Sequence, residues 1–90
     1  MCSRLSQELR VALYFFHTET ADSLADEDGV ELPSCIAACE MAIKVAGELM
    51  RDGASTFWAT RPWKVTVTDG KGLILLEIEI CGYAAPAFPH

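Results

Sequence analysis

Two apolar segments joined by a glycine-containing turn, residues 65–80, constrain the fold of this 90-residue chain more than any other feature. Apolar and polar residues alternate in both segments, so each is predicted to be a strand with one buried face. Asp69-Gly70 favours a tight hairpin, because glycine adopts positive φ without steric cost. Either Val65 or Val67 can stand opposite Ile74, and both pairings keep one apolar face. That face is predicted to carry Val65, Val67, Ile74, Leu76, Ile78 and Ile80.

Two further strands are predicted near the start of the chain. Residues 10–17 are rich in aromatic and aliphatic side chains on both faces, as in a central strand that is covered on both sides. Residues 22–25 are long enough for one short edge strand. The acidic segment 26–29 reads as a turn, after which Val30 and Leu32 return the chain to the core.

The only long helix is predicted to begin after Ser34, a favourable N-cap, and to end at Gly53. Its polar stripe consists of Glu40, Lys44, Glu48 and Arg51. The opposite arc, mostly small, is expected to pack on the sheet: Cys35, Ala38, Ala42, Val45, Ala46 and Leu49. A third, apolar flank has a spacing of seven: Ile36, Ile43 and Met50. Residues 54–62 are expected to form a loop anchored by Phe57 and Trp58.

These elements predict an α+β fold in the order β-β-α-β-β. The sheet is four-stranded and antiparallel, with strand order 2-1-3-4 and one helix packed on one face by a right-handed crossover. Residues 10–81 form the single domain, residues 1–9 a polar leader and residues 82–90 an irregular tail. One helix cannot cover both faces of four strands, so the other face is left for water or a partner.

The net charge of −6 argues against general binding to nucleic acid, because the chain repels phosphate backbones. No apolar run approaches the roughly 20 residues that cross a bilayer, and no secretory signal is visible. We therefore expect a cytoplasmic protein without membrane contact. Its four cysteines (Cys2, Cys35, Cys39 and Cys81) are expected to be reduced.

Three blocks resemble a family of short bacterial proteins known as a domain of unknown function, common in nitrogen-fixing soil bacteria and their relatives. The blocks are YFFH at 14–17, DEDGVELP at 26–33, and VTDG at 67–70 after an Ala-rich helix. The resemblance spans about residues 10–80. It implies a compact α+β domain with no assigned activity, so no catalytic residue carries over. The chain departs from the pattern in having Cys35 and Cys39 and a longer last strand.

Two groups of possible metal ligands are better interpreted as structural. Cys35 and Cys39 lie one helical turn apart, but a zinc site needs four ligands and no second Cys or His pair is present. Asp26, Asp28 and Glu31 lack the ligand spacing of a calcium loop and are ordinary turn formers. We expect no metal and no cofactor.

Two functional alternatives stay open. His17 ends the first strand, and a pocket beside it would indicate a small enzyme or ligand-binding domain, although a structural hydrogen bond is the simpler role. The aromatic residues Tyr14, Phe15, Trp58 and Trp63 would stack single-stranded nucleic acid if basic residues flanked them on the open sheet face. No such basic residues are interleaved.

We expect a non-catalytic interaction module that pairs with itself or with another protein. Both faces of the first strand are apolar, and the helix flank adds a strip that the core does not need. A homodimer is the commonest way to bury such a surface. The candidate interface residues are Leu13, Phe15, Ile36, Ile43 and Met50.

Overall fold

A central antiparallel strand, with partners on both sides, organises the structure. The structure is a computed structural model that describes residues 12–89; predictions for residues 1–11 and for His90 lie outside these residues. Within residues 12–89 there are five strands and two helices. They are β1 (Ala12–Glu19), β2 (Ser23–Leu24), β3 (Val30–Leu32), α1 (Cys35–Asp52), α2 (Ala54–Thr60), β4 (Trp63–Thr68) and β5 (Ile74–Ile80).

The strand order β2-β1-β4-β5 confirms the predicted order of the four expected strands, and every pairing is antiparallel. Val30–Leu32, a segment that was expected only to return the chain to the core, forms a fifth strand. This strand, β3, pairs with the first half of β1, with Val30 opposite Tyr14, and β2 pairs with its last residues. One edge of β1 is therefore shared by two short strands.

Small residues allow α1 to lie close to the sheet, as predicted. Ala38, Ala42 and Ala46 are buried. They pack with side chains of the two central strands, namely Tyr14, Phe16, Val65 and Val67. The N-cap is also confirmed, because the Oγ atom of Ser34 accepts a hydrogen bond of 3.1 Å from the N–H of Ala37.

The prediction of a loop over residues 54–62 is wrong, because residues 54–60 form the second helix. Phe57 is buried in an edge-to-face contact with Trp63, their ring centroids 5.2 Å apart, whereas Trp58 is exposed. Gly53, between the helices, has a φ of −110°, so a positive φ does not explain why this residue is a glycine. A Cβ atom there would lie 2.5 Å from Cη2 of Trp63, so glycine is needed for this close approach.

Both hairpin registers proposed from the sequence are wrong. Val65 lies opposite Ile78, and Val67 lies opposite Leu76. The Oδ1 atom of Asp69 accepts from the N–H groups of Lys71 and Leu73 at 2.8 and 3.0 Å, which holds a wider turn. Gly72, not Gly70, has the positive φ, +86°.

The apolar face of the hairpin is retained despite this shift, with two exceptions. Ile74, predicted to be buried, is exposed at the outer edge of the sheet. Thr68, which alternation leaves off the predicted apolar face, is buried and hydrogen-bonded to His17. A register irregularity between Val67 and Thr68 accompanies both changes.

Candidate interaction surface

Three large apolar side chains form the exposed flank of α1. Ile36 is 62% exposed, Ile43 61% and Met50 42%. Their spacing of seven corresponds to about two helical turns, so they follow one line along the helix. We call this line the α1 flank. It lies beside the buried alanine stripe, and nothing in the described residues buries it.

The outer strand β5 is a second apolar surface, which sequence reasoning did not include in the interface. It pairs with β4 on one side and forms the edge of the sheet on the other. Leu73, just before the strand, and Ile74 and Leu75, at its start, are all exposed. Three consecutive exposed apolar residues are unusual in a chain that does not use them for binding. The feature that could have indicated this surface is the place of the strand at the end of the predicted strand order, because an end strand has a neighbour on one side only.

Leu13 and Phe15, the other two candidate interface residues, lie on the opposite face of the sheet from α1. They alternate along β1 with the buried Tyr14 and Phe16. A Cβ atom built on Gly29 would lie 3.0 Å from side-chain atoms of both, so the 26–29 turn packs against them. The structure thus brings together three of the five predicted residues and places two elsewhere.

His17 makes hydrogen bonds with both ring nitrogens. Its Nδ1 atom accepts from the backbone N–H of Asp26 at 3.1 Å. Nε2 therefore carries the proton and donates to Oγ1 of Thr68 at 3.0 Å. The ring also stacks at 11° on Phe15, with a centroid distance of 6.5 Å. These contacts join the turn at 26–29 to two strands, as a structural histidine does.

The carboxylate of Asp26 stabilises the break between β2 and β3. Its Oδ2 atom accepts from the N–H of Phe16 at 3.1 Å, where a neighbouring strand would otherwise pair. Oδ1 accepts from the N–H groups of Asp28 and Gly29 at 3.1 and 3.2 Å. Burial raises the pKa of this carboxyl, but the three hydrogen bonds and nearby His17 outweigh it and hold the pKa below its usual 3.8.

Neither group of possible metal ligands forms a site in the structure. Cys35, Cys39 and Cys81 are thiols outside any disulfide. Among residues 12–89, no three His, Cys, Asp or Glu side chains come close enough together to hold a metal ion. The carboxylate of Asp26, the first acidic residue of the supposed calcium loop, is occupied by backbone N–H groups.

The aromatic residues considered for stacking on nucleic acid are not on one face. Tyr14 and Trp63 are buried in the interior. Trp58 is exposed on α2, with the guanidinium of Arg61 5.1 Å from its ring centroid. The same guanidinium donates to the carbonyl oxygen of Gly82 at 2.6 Å, which fixes the start of the C-terminal segment. Only Phe15 of this group lies on the open sheet face.

The helices described here do not include a membrane span, since neither α1 nor α2 has the length and hydropathy to cross a bilayer. Comparison with known proteins gives one match, to a family model. No curated protein and no solved structure matches the chain. The model described as "Domain of unknown function (DUF6894)" matches residues 13–81, which include all of the sheet except the first residue of β1. The chain therefore belongs to the DUF6894 family.

Proposed function

We propose that this domain is a small, non-catalytic interaction module that forms a homodimer through the α1 flank. The observation that carries the proposal is the exposure of Ile36, Ile43 and Met50 along one line of a well-packed helix. Burying such a side chain contributes roughly 1 to 2 kcal/mol when about half of it is exposed at the start. Six of them, three from each copy, supply a substantial part of a dimer interface.

The open sheet face supports self-association less well than the α1 flank does. Leu13 and Phe15 already contact the 26–29 turn, and Phe15 stacks on His17. Their remaining exposed area is smaller than that of Ile36 and Ile43. We therefore assign the interface to the helix side of the sheet.

A catalytic role for His17 has less support than a structural one. A general base needs an unoccupied ring nitrogen near the substrate proton. In His17 one nitrogen accepts from Asp26 and the other donates to Thr68, so either role would first require breaking a contact that holds the sheet. Nucleic-acid binding is likewise disfavoured by the net charge of −6.

The proposed setting is the cytoplasm of a bacterium. The bacterial origin rests on the three sequence blocks at 14–17, 26–33 and 67–70. The compartment rests on Cys35, Cys39 and Cys81, which are thiols, as is usual in a reducing environment.

Light scattering over a concentration series tests the proposal. The wild-type chain is expected to approach twice the 9.8 kDa mass of one copy as its concentration rises. Ile43→Glu should shift the equilibrium to the monomer, because it places a carboxylate in the interface. Lys44→Glu, at the exposed neighbouring position, is the matched control and should leave the dimer in place. A monomeric mass at every concentration would exclude self-association.

A further inference from the structure

The open sheet face, turned away from α1, carries apolar side chains that no helix of the described residues covers. The buried residues of β1 and β4 pack on α1, and α2 contacts Trp63 on the same side of the sheet. The residues that alternate with them lie on the open sheet face. One row across three strands there consists of Phe15, Thr68 and Ile74, with Leu13 next to Phe15 along β1. Leu13 is 41% exposed and Ile74 61%.

Carboxylates surround these apolar side chains. The strand registers put glutamates on the open sheet face and the 26–29 turn adds further exposed carboxylates, the set being Glu19, Glu27, Asp28, Glu31, Glu77 and Glu79. Lys64, in register between Glu19 and Glu79, is the one cation that these strand pairings place on this face. Ion pairs do not neutralise the set, because within residues 12–89 the one ion pair joins Arg51 to Asp52. The open sheet face therefore combines exposed apolar groups with uncompensated negative charge.

The exposed side of α1 has a more balanced charge. Its acidic residues Glu40, Glu48 and Asp52 are accompanied by Lys44 and Arg51. The acidic excess is thus greater on the open sheet face than beside the α1 flank. A second copy would bring the same carboxylates against the open sheet face, and like charges repel each other. The occupant that fits this face therefore differs in charge from this chain.

The edges of the sheet do not favour the addition of a strand from a partner. On one side the edge of β1 is divided between β2 and β3, and on the other side the pairing of β5 with β4 skips Leu75. Irregular edges resist pairing with a further strand. A partner is therefore expected to bind over the face of the sheet, and a helix is the element that commonly covers such a face.

We propose that the open sheet face binds a basic amphipathic helix of another protein. Its aliphatic side chains pack on Leu13, Phe15 and Ile74, and its lysines or arginines face the surrounding carboxylates. Burial of the apolar groups supplies affinity, and the opposite charges raise the association rate and select the partner. This role goes beyond the proposed homodimer, because it uses the other side of the sheet. A dimer formed through the α1 flank leaves the open sheet face accessible in both copies.

A synthetic amphipathic helix of leucine and lysine, about 18 residues and roughly 27 Å long, is the probe for this site. The control peptide has glutamate in place of every lysine. Calorimetry measures the binding of each peptide to the full chain, and NMR shifts of backbone amides locate it. The lysine peptide is expected to bind and to shift the amides of Leu13, Phe15 and Ile74, whereas the glutamate peptide should not bind.

Charge reversal on the two sides of the sheet distinguishes this site from general attraction between opposite charges. Glu31→Lys combined with Glu77→Lys should weaken binding of the lysine peptide by about tenfold or more. Glu40→Lys combined with Glu48→Lys changes the net charge by the same amount on the exposed side of α1. This matched control should weaken binding by less than about threefold. Circular dichroism checks that both double variants are folded.

The apolar part of the site is tested by Ile74→Ser, which should weaken binding by about fivefold or more. Equal weakening by the two double variants would reduce the effect to net charge and overturn the proposal. A lysine peptide that does not bind, or that shifts only amides of the α1 flank, would also overturn it. Light scattering tests the homodimer separately, so either proposal can fail without the other.

Discussion

The Nδ1 atom of His17 accepts a hydrogen bond of 3.1 Å from the backbone N–H of Asp26. The carboxylate of Asp26 returns a contact to the same strand, because Oδ2 accepts from the N–H of Phe16 at 3.1 Å. The side chain of His17 on the strand thus binds the backbone of the turn, and the side chain of Asp26 on the turn binds the backbone of the strand. These two hydrogen bonds replace the backbone pairing with β1 that is missing between β2 and β3. They fix the position of the turn on the sheet.

Replacing Asp26 with Ala should destabilise the domain by about 2 kcal/mol, because partly buried N–H groups lose their acceptor. The free energy of unfolding in urea measures this loss. Glu27→Ala, at the exposed next position, is the control and should change it by less than about 0.5 kcal/mol. Equal losses in the two variants would show that the carboxylate of Asp26 does not hold the turn.

Acid should weaken the domain through the same carboxyl. The pKa of Asp26 is lower in the folded state than its usual 3.8, so its contribution is fully present above pH 3.8 and is lost as pH falls below that value. Asp26→Asn lacks this titration. The stability difference between wild type and Asp26→Asn should therefore shrink as the pH of urea unfolding is lowered from about 5 to 2. A constant difference would contradict this origin of the acid sensitivity.

Two glycines of the helical region should respond to alanine in opposite ways. Gly53→Ala puts a methyl group 2.5 Å from the ring of Trp63 and should cost about 1 to 3 kcal/mol. Gly47 lies on the exposed surface of α1, and a Cβ atom there would have no neighbour within 4 Å, so Gly47→Ala should stabilise by about 0.5 to 1 kcal/mol. Thermal unfolding of both variants checks this. A stabilised Gly53→Ala would mean that Trp63 moves aside at little cost.

A charged side chain at one of the buried alanines of α1 should destabilise the domain strongly. Ala42 has no exposed surface, so Ala42→Glu buries an unpaired carboxylate and should cost about 4 kcal/mol or more, enough to unfold a domain of this size. Glu40→Ala on the exposed side should change stability by less than about 0.5 kcal/mol. Circular dichroism of the two variants distinguishes them. A folded Ala42→Glu chain would mean that the helix can rotate on the sheet.

Elements with strong local signals could be predicted, and those set by distant contacts could not. Ser34 and the alanine periodicity place α1 from sequence alone. The helix at 54–60 was missed because its stability depends on Phe57 meeting Trp63, a contact that no local pattern predicts. The hairpin register was missed because the side chain of Asp69 bonds to two N–H groups and widens the turn.

The candidate interaction surface could likewise be predicted only in part. The α1 flank follows from helical periodicity, so Ile36, Ile43 and Met50 could be named in advance. The exposure of Ile74 could not, because alternation assigns Ile74 and Leu76 to one face and does not show that the register shifts between them. Ile74 lies opposite Thr68, which in turn lies opposite Phe15, so Ile74 is on the face of the sheet away from α1.

The interruption between β2 and β3 limits how large an assembly can become. A sheet with two regular edges can add copies without end, as fibres do. Here the edge of β1 opposite β4 is divided between two short strands, and the acidic 26–29 turn occupies the gap. The other edge, on β5, is interrupted near its start, where the pairing with β4 skips Leu75. The Asp26 turn and the bulge at Leu75 each interrupt one edge of the sheet, so neither edge offers the long regular row on which fibres grow.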